Sequence, residues 1–303
     1  MKVFYSDRYT VDLPEGHRFP MSKYKLVRES LLREGVLEAS ELFEPRLPTR
    51  DEMLAAHTSE YFDTFCDGTI DPGIMRRIGF PWSESLVNRS LASVGGAMDA
   101  ADAALDPASN RGVSGNLAGG THHAFADAGE GYCVFNDVAV AVLNLLKHKK
   151  ISRAAIVDLD VHQGNGNAGI LGGNPDVYIL SLHGAKNYPF RKVPSTVDVD
   201  LPDGADDELY LASLRHELPK VFAFKPDLIF YQAGVDPLKE DKLGRLSLSL
   251  AGLAARDRML LSMCNSENVP VSLALGGGYA DPISLTVAAH VQTYKIVKEI
   301  FPN

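Results

Sequence analysis

The segment Ala154–Gly166 reads AAIVDLDVHQGNG. Its first half is a short run of small and β-branched apolar residues, the composition of a strand buried on both faces. Its second half sets Asp158, Asp160 and His162 at alternate positions and then breaks into Gly164-Asn165-Gly166. On an extended chain, residues two apart share a side, so a strand over Ala154–Val161 would project two carboxylates and an imidazole together. Such charges at a buried strand end are costly unless a cation compensates them. The pattern therefore predicts a parallel strand that ends in a metal site.

Outward from this segment, similar apolar runs occur at Val3–Tyr5, Val113–Ala118, Val177–Leu182, Leu228–Ala233 and Val271–Leu275. Amphipathic stretches at Leu86–Leu105, Asp137–Lys149, Asp207–Phe222 and Leu250–Asn265 alternate with them. A last helix is expected after Asp281, whose side chain would cap it, with Pro282 at the first helical position. Near-continuous apolar strands separated by helices give an α/β fold, a mostly parallel central sheet flanked by helices on both faces. No linker or internal repeat divides the chain, so one domain over residues 1–303 is expected.

In such sheets ligands bind beyond the carboxyl ends of the strands. Polar and glycine-rich clusters fall there repeatedly: Thr121-His122-His123, Asp158/Asp160/His162, Ser181/His183, Gly234-Val235-Asp236 and Gly276-Gly277-Gly278-Tyr279. Asp160, His162 and Asp236 supply three protein ligands and leave a position open for water, the pattern of a catalytic ion. A set of nitrogen and oxygen donors suits Zn²⁺ and admits Fe²⁺, Co²⁺ or Mn²⁺. Asp158 is left over, to accept a hydrogen bond from one of the tandem histidines or to lend oxygens to a second, structural cation. A two-metal hydrolase would need a carboxylate two residues after His162, where Gly164 stands, and a paired acid beside Asp236. One catalytic metal is expected. Gly164–Gly169 also matches GxGxxG, but the preceding carboxylates would repel a pyrophosphate, and the next strand lacks the acid that holds a ribose.

The net charge of −9 over 303 residues argues against a nucleic-acid partner. Three cysteines, Cys66, Cys133 and Cys264, form no CxxC pair and read as reduced residues of an intracellular protein. The N-terminus MKVFYSDRYT has no signal-peptide pattern, and no apolar run nears the roughly 18 residues of a membrane span. A cytoplasmic protein with no membrane partner is expected.

With these pieces in place the chain resembles the histone deacetylase superfamily, and within it the class IV and bacterial class IV-like members. The resemblance is carried by GGTHHA (Gly119–Ala124), GYCVFND (Gly131–Asp137), DLDVHQGNG (Asp158–Gly166), SLH (Ser181–His183), AGVDPL (Ala233–Leu238) and GGGY (Gly276–Tyr279). It runs from Gly16–Lys23 to Tyr279 and implies the arginase/deacetylase fold with a Zn²⁺-dependent amidohydrolase activity. By that resemblance Asp160, His162 and Asp236 match the metal ligands, His122 and His123 the tandem pair, and Tyr279 the tyrosine that polarises the scissile carbonyl. Asp158, Asp160, His162, Ser181 and Leu182 match a structural K⁺ site. Gly131, Tyr132 and Tyr188 match the walls of a lysine channel, and Lys23 the basic residue at its foot.

Two positions depart from the class I pattern. Asn165 stands where class I members have Asp, as the expected partner of His123, and a neutral amide should leave that imidazole with a lower pKa. Tyr132 replaces the usual channel Phe. The implied chemistry has His123 deprotonating a metal-bound water as it attacks the amide, while metal and Tyr279 share the oxyanion and His122, oriented by Asp158, tunes the field. The implied substrate is an acylated lysine in a peptide or protein, or an acylated small amine such as an acetylpolyamine. A catalytically dead binding module is disfavoured because the whole residue set is intact. Acyl length and oligomeric state are not written in these motifs.

Overall fold

A computed structural model describes residues 1–107 and 112–302. Among these residues eight strands form one sheet: β1 (Lys2–Phe4), β2 (Leu42–Phe43), β3 (Val113–Asn116), β4 (Ala154–Asp158), β5 (Val177–Gly184), β6 (Val197–Leu201), β7 (Leu228–Gln232) and β8 (Val271–Ala274). Their order is β2-β1-β3-β8-β7-β4-β5-β6, and every pairing is parallel. The helices are α1 (Lys23–Arg33), α2 (Arg50–Met53), α3 (Ser59–Asp67), α4 (Pro72–Ile78), α5 (Glu84–Leu105), α6 (Asp137–Lys147), α7 (Asn165–Leu171), α8 (Asp207–Ala223), α9 (Leu250–Ser266) and α10 (Ile283–Ile300).

Successive residues of a strand face opposite sides, and here both sides are covered. Ile156, Ile179 and Phe230 pack with Met98, Ala101, Val138 and Val142 of α5 and α6. Ala155, Val157, Leu180 and Ile229 pack with Leu214, Leu218, Leu253 and Leu260 of α8 and α9. Each of these side chains larger than alanine contributes roughly 1.5–3 kcal/mol when taken fully out of water, which is why the strands read as unbroken apolar runs. Among the described residues no helix is long and apolar enough to cross a membrane.

Three local expectations change. β4 stops at Asp158 rather than Val161, because the carboxylates turn back on their own backbone: Asp158 Oδ1 accepts from the Asp160 N–H at 3.2 Å, and Asp160 Oδ1 from the His162 N–H at 3.0 Å. Side chains bonded to the main chain two residues on make Asx turns. Asp160 and His162 thus converge through tight turns beyond the strand, not through strand alternation. Asp281 does not cap the last helix; Pro282 is at the N-cap with no side-chain hydrogen bond, and Asp281 instead pairs with Lys242 at 2.6 Å. The charged edge strand β6 (VDVDL) and the short β2 add to the expected sheet. Edge strands lack the continuous apolar run that marks the buried ones.

Candidate active site

All the polar clusters expected at strand ends do meet at the carboxyl edge of the sheet, where β3, β8, β7, β4 and β5 lie side by side. Asp160, His162 and Asp236 are buried, with one ligand atom of each within 4.8 Å of the others. The main chain orients both carboxylates. Gly277 N–H donates to Asp160 Oδ2 at 2.7 Å, and Val161 N–H to Asp236 Oδ1 at 2.8 Å. The remaining oxygens, Asp160 Oδ1 and Asp236 Oδ2, face His162 Nδ1 at 3.0 and 3.1 Å.

Electrostatics mark this cluster as short of positive charge. Burial opposes charge on His162, but Asp160 and Asp236 outweigh it and raise the imidazole to about 10. Burial together with the Asp160 charge pushes Asp236 up to about 7. Burial also acts on Asp160, yet His122 and His162 hold it well below the usual carboxylate range. Two buried carboxylates that recruit a proton onto an imidazole, with hard oxygen and nitrogen donors converging on one point, fit a divalent cation. Glycine is required around it: a Cβ on Gly277 would collide with the Asp236 carboxylate, and one on Gly164 with that of Asp158.

The tandem histidines lie beside this cluster with rings 4.2 Å apart, and their environments differ. His122 Nδ1 meets Asp158 Oδ2 at 2.7 Å; burial resists its charge, but Asp158 and Asp160 raise it to about 9. His123 Nδ1 meets Asn165 Oδ1 at 2.6 Å, and burial, then repulsion from His122 and His162, holds it well below its ordinary value. The Asn165 hydrogen bond works against this depression, which comes from burial and the neighbouring imidazoles. A further link decides the tautomer. Asn165 Nδ2 donates to Glu130 Oε1 at 2.7 Å, so the Asn165 oxygen faces His123, whose Nδ1 must carry the hydrogen. The lone pair is left on Nε2.

His122, His123, Asp160 and His162 line a cavity of about 620 Å³. Gly131, Tyr132, Tyr188 and Tyr279 line it, as expected. Gly131 and Tyr132 sit at φ 56° and 67°, held there because their N–H groups donate to the carbonyls of Arg77 and Ile78 at the end of α4. The Tyr188 ring meets His123 edge-on at 4.9 Å between centroids. Burial and the nearby Asp236 and Asp160 keep the Tyr279 phenol well above its ordinary pKa, so it stays a donor. Its backbone N–H is anchored by Asp241 Oδ2 at 2.6 Å. Lys23 lies behind this wall rather than in it. It is fully buried, donates to the Gly276 carbonyl at 3.0 Å, and stands 5.0 Å from the Tyr279 ring centroid. Register sets Ser181 beside Asp158, with Leu182 next on β5.

Two contributors are invisible in the sequence motifs. Glu130 fixes the Asn165 amide; its place directly before Gly131 was the available signal. Arg256, fully buried on α9, donates through Nη1 to the carbonyls of Leu159 at 3.1 Å and Gly234 at 2.6 Å. It thereby ties together the two loops that carry Asp160 and Asp236. A lone Arg in an amphipathic helix offers no such signal.

The all-parallel sheet with this cluster beyond its carboxyl edge defines the arginase/deacetylase class of fold. A crystal structure of a histone deacetylase homologue from Aquifex aeolicus matches it with a TM-score of 0.80 at 25% identity, over 99% of this chain and 83% of that one. The HDA15 HD domain matches with a TM-score of 0.80 at 24% identity, over 100% of this chain and 89% of that one. The profile of the Histone deacetylase domain covers residues 17–294, and the chain belongs to the histone deacetylase family. An uncharacterized protein of Picosynechococcus sp. is 41% identical over 300 residues, 99% of each chain. Histone deacetylase 2 of Arabidopsis thaliana is 29% identical, over 96% of this chain and 78% of its own length. The acetoin utilization protein AcuC of Staphylococcus xylosus is 27% identical, over 86% and 73%.

Proposed function

We propose that this chain is a metal-dependent amidohydrolase that removes an acyl group from the ε-amine of lysine in a peptide or protein. The observation that carries the reading is the buried Asp160–His162–Asp236 set, of which Asp160 and His162 line the cavity beside His123 and Tyr279. These three residues would hold Zn²⁺, with Fe²⁺ the alternative the same donors accept. When bound, such an ion supplies Lewis acidity, activating water and polarising a carbonyl.

The residues divide the remaining work. Gly131, Tyr132 and Tyr188 enclose the aliphatic stem of the acyl-lysine, and Tyr279 donates its hydroxyl to the amide oxygen as negative charge develops there. A well-aimed donor of this kind is worth a few kcal/mol in the transition state. His123, neutral with a free Nε2, accepts the proton of the attacking water and returns it to the departing amine. His122 stays charged against Asp158 and supports the developing oxyanion by its field. A structural K⁺ is assigned to Asp158, Asp160, His162, Ser181 and Leu182, where it would offset the buried Asp158.

The test is hydrolysis of acyl-lysine peptides by the purified protein before and after chelation, with bound metal measured in parallel. Activity should vanish on stripping and return with Zn²⁺ or Fe²⁺. Undiminished hydrolysis by fully stripped protein would refute the assignment.

A further inference from the structure

The mouth of the cavity carries a charge opposite to that of the chain as a whole. The protein has 39 acidic against 30 basic residues. Yet the cavity lining includes Arg18, Arg76, Arg77, Lys186, Lys242 and Arg245, and among the described residues its one carboxylate is Asp160. All six cations are exposed. They arrive from separate places: the loop before α1, the last turn of α4, the end of β5 and the loop after β7.

Some of this charge is answered within the fold. Asp203 lies 2.6 Å from Arg245 and 3.7 Å from Lys186, and Asp281 lies 2.6 Å from Lys242. Arg18, Arg76 and Arg77 form no ion pair among the described residues. Two further acids accept from neutral amides instead of pairing with the rim cations. Glu130 holds Asn165, and Asp241 takes the backbone N–H groups of Leu243, Gly244 and Tyr279. Among the exposed groups six cations face two pairing carboxylates, so the outer rim is positive, while Glu130 and Asp241 keep their charge beneath it.

Resting on the deacylase reading, the geometry points to a substrate class: an acyl-lysine flanked by aspartate and glutamate in an acidic peptide segment. A substrate whose acylated side chain fills the channel must lay its neighbours on this rim. Exposed guanidinium groups bind carboxylates through paired, charge-assisted hydrogen bonds. A ring of one sign around an opening also focuses the field and raises the rate of encounter with the opposite sign. Phe190, 91% exposed at the same rim, offers an apolar contact to the flanking chain. Acylpolyamines and lysine-rich tails carry the charge this rim repels. An extended nucleic acid would leave the rim and run onto an acidic surface.

The experiment measures kcat/KM for peptides bearing one acyl-lysine flanked by Asp/Glu, by Ser/Gly or by Lys/Arg, and for N-acetylspermidine. It compares wild type with the double reversal Arg76→Glu/Arg77→Glu. At low ionic strength the acidic peptide should exceed the neutral one by about 10-fold and the basic one by about 100-fold in wild type. Near 0.5 M salt, where exposed charges are screened, the spread should shrink to about 3-fold. The double reversal should invert the order, a ratio taken within one protein and so independent of its folded fraction. Anisotropy of a labelled acidic peptide should show binding weakened about 10-fold by the same reversal. Equal or better turnover of the basic peptide or of N-acetylspermidine by wild type would overturn the inference. So would inhibition by short single-stranded DNA together with no preference for acidic flanks. Binding of the acidic peptide without turnover of any peptide would overturn the deacylase reading and leave the acidic partner supported.

Discussion

Replacing Arg256 by Met would remove the buried guanidinium that joins the two ligand-bearing loops. Arg256 is fully buried and donates to Leu159 O and Gly234 O through Nη1, and to Asp257 Oδ1 through Nε at 2.8 Å. Methionine fills comparable space but donates nothing. The Gly234 carbonyl loses its charged donor, whereas Leu159 O keeps the Tyr210 hydroxyl at 3.3 Å. Asp257 loses its counter-charge while still accepting from Tyr231 and, at 2.6 Å, from Thr293. Removing one partner of a buried pair costs about 3–5 kcal/mol. The two donors left on Asp257 place this case near the lower bound, about 3 kcal/mol. Urea unfolding of metal-free protein at constant m-value measures it. Competition with a chelator should show metal affinity about 10- to 100-fold weaker, since support behind ligands typically matters that much. Adding Asp257→Asn relieves the orphaned carboxylate and should return about 1–2 kcal/mol of stability, but not the metal affinity. A loss below about 1 kcal/mol in Arg256→Met would refute the argument that the pair is structural. Full recovery of metal affinity in the double variant would refute the claim that Arg256 holds the loops.

Tyr279→Phe should lower kcat about 100- to 1,000-fold with bound metal unchanged, the cost of losing one oxyanion donor; metal analysis beside a turnover assay checks both halves. Asn165→Asp would set a carboxylate against His123 and beside Glu130, raising the imidazole from its depressed position. The acid limb of kcat/KM against pH should then move to higher pH, and an unmoved limb would argue against His123 as the base. His57 is buried, accepts from the Asn136 N–H at 3.0 Å, and is lowered by burial to about 4. Between that value and about 6.5 the unfolded chain binds a proton that the folded one refuses, so stability is present above the window and lost as pH falls through it, by about 3 kcal/mol. His57→Gln keeps an acceptor without titrating, and its unfolding free energy should fall less steeply across that window than that of wild type.

Much of the site was legible because its chemistry sits in short motifs at strand ends. Asp160, His162 and Asp236 were identifiable from residue type and strand-end position as a group that could hold a metal, and Gly164 in place of a further acid pointed to one ion rather than two. The partners of the two histidines, Asp158 and Asn165, were also named correctly. Asx turns after β4, which strand alternation does not encode, aim Asp160 and His162. Asp281 does not cap the last helix because that helix begins at Ile283, one residue later than expected, which puts Pro282 at the N-cap.

By itself the sequence determined the periodicity of the strands and helices, hence a parallel sheet covered on both faces, and the donor chemistry collected at its carboxyl edge. Both are local properties: burial imposes them on consecutive residues, and ligand atoms require particular residue types. Only the tertiary structure decided which separate segments become neighbours. It placed Arg256 beneath loops 97 and 22 residues away along the chain, and Glu130 behind an amide 35 residues distant. It moved Lys23 out of the channel and into its backing. It also gathered six cations from scattered loops and a helix end around one opening in an acidic protein. Contacts of this kind depend on distances in space that no spacing along the chain encodes.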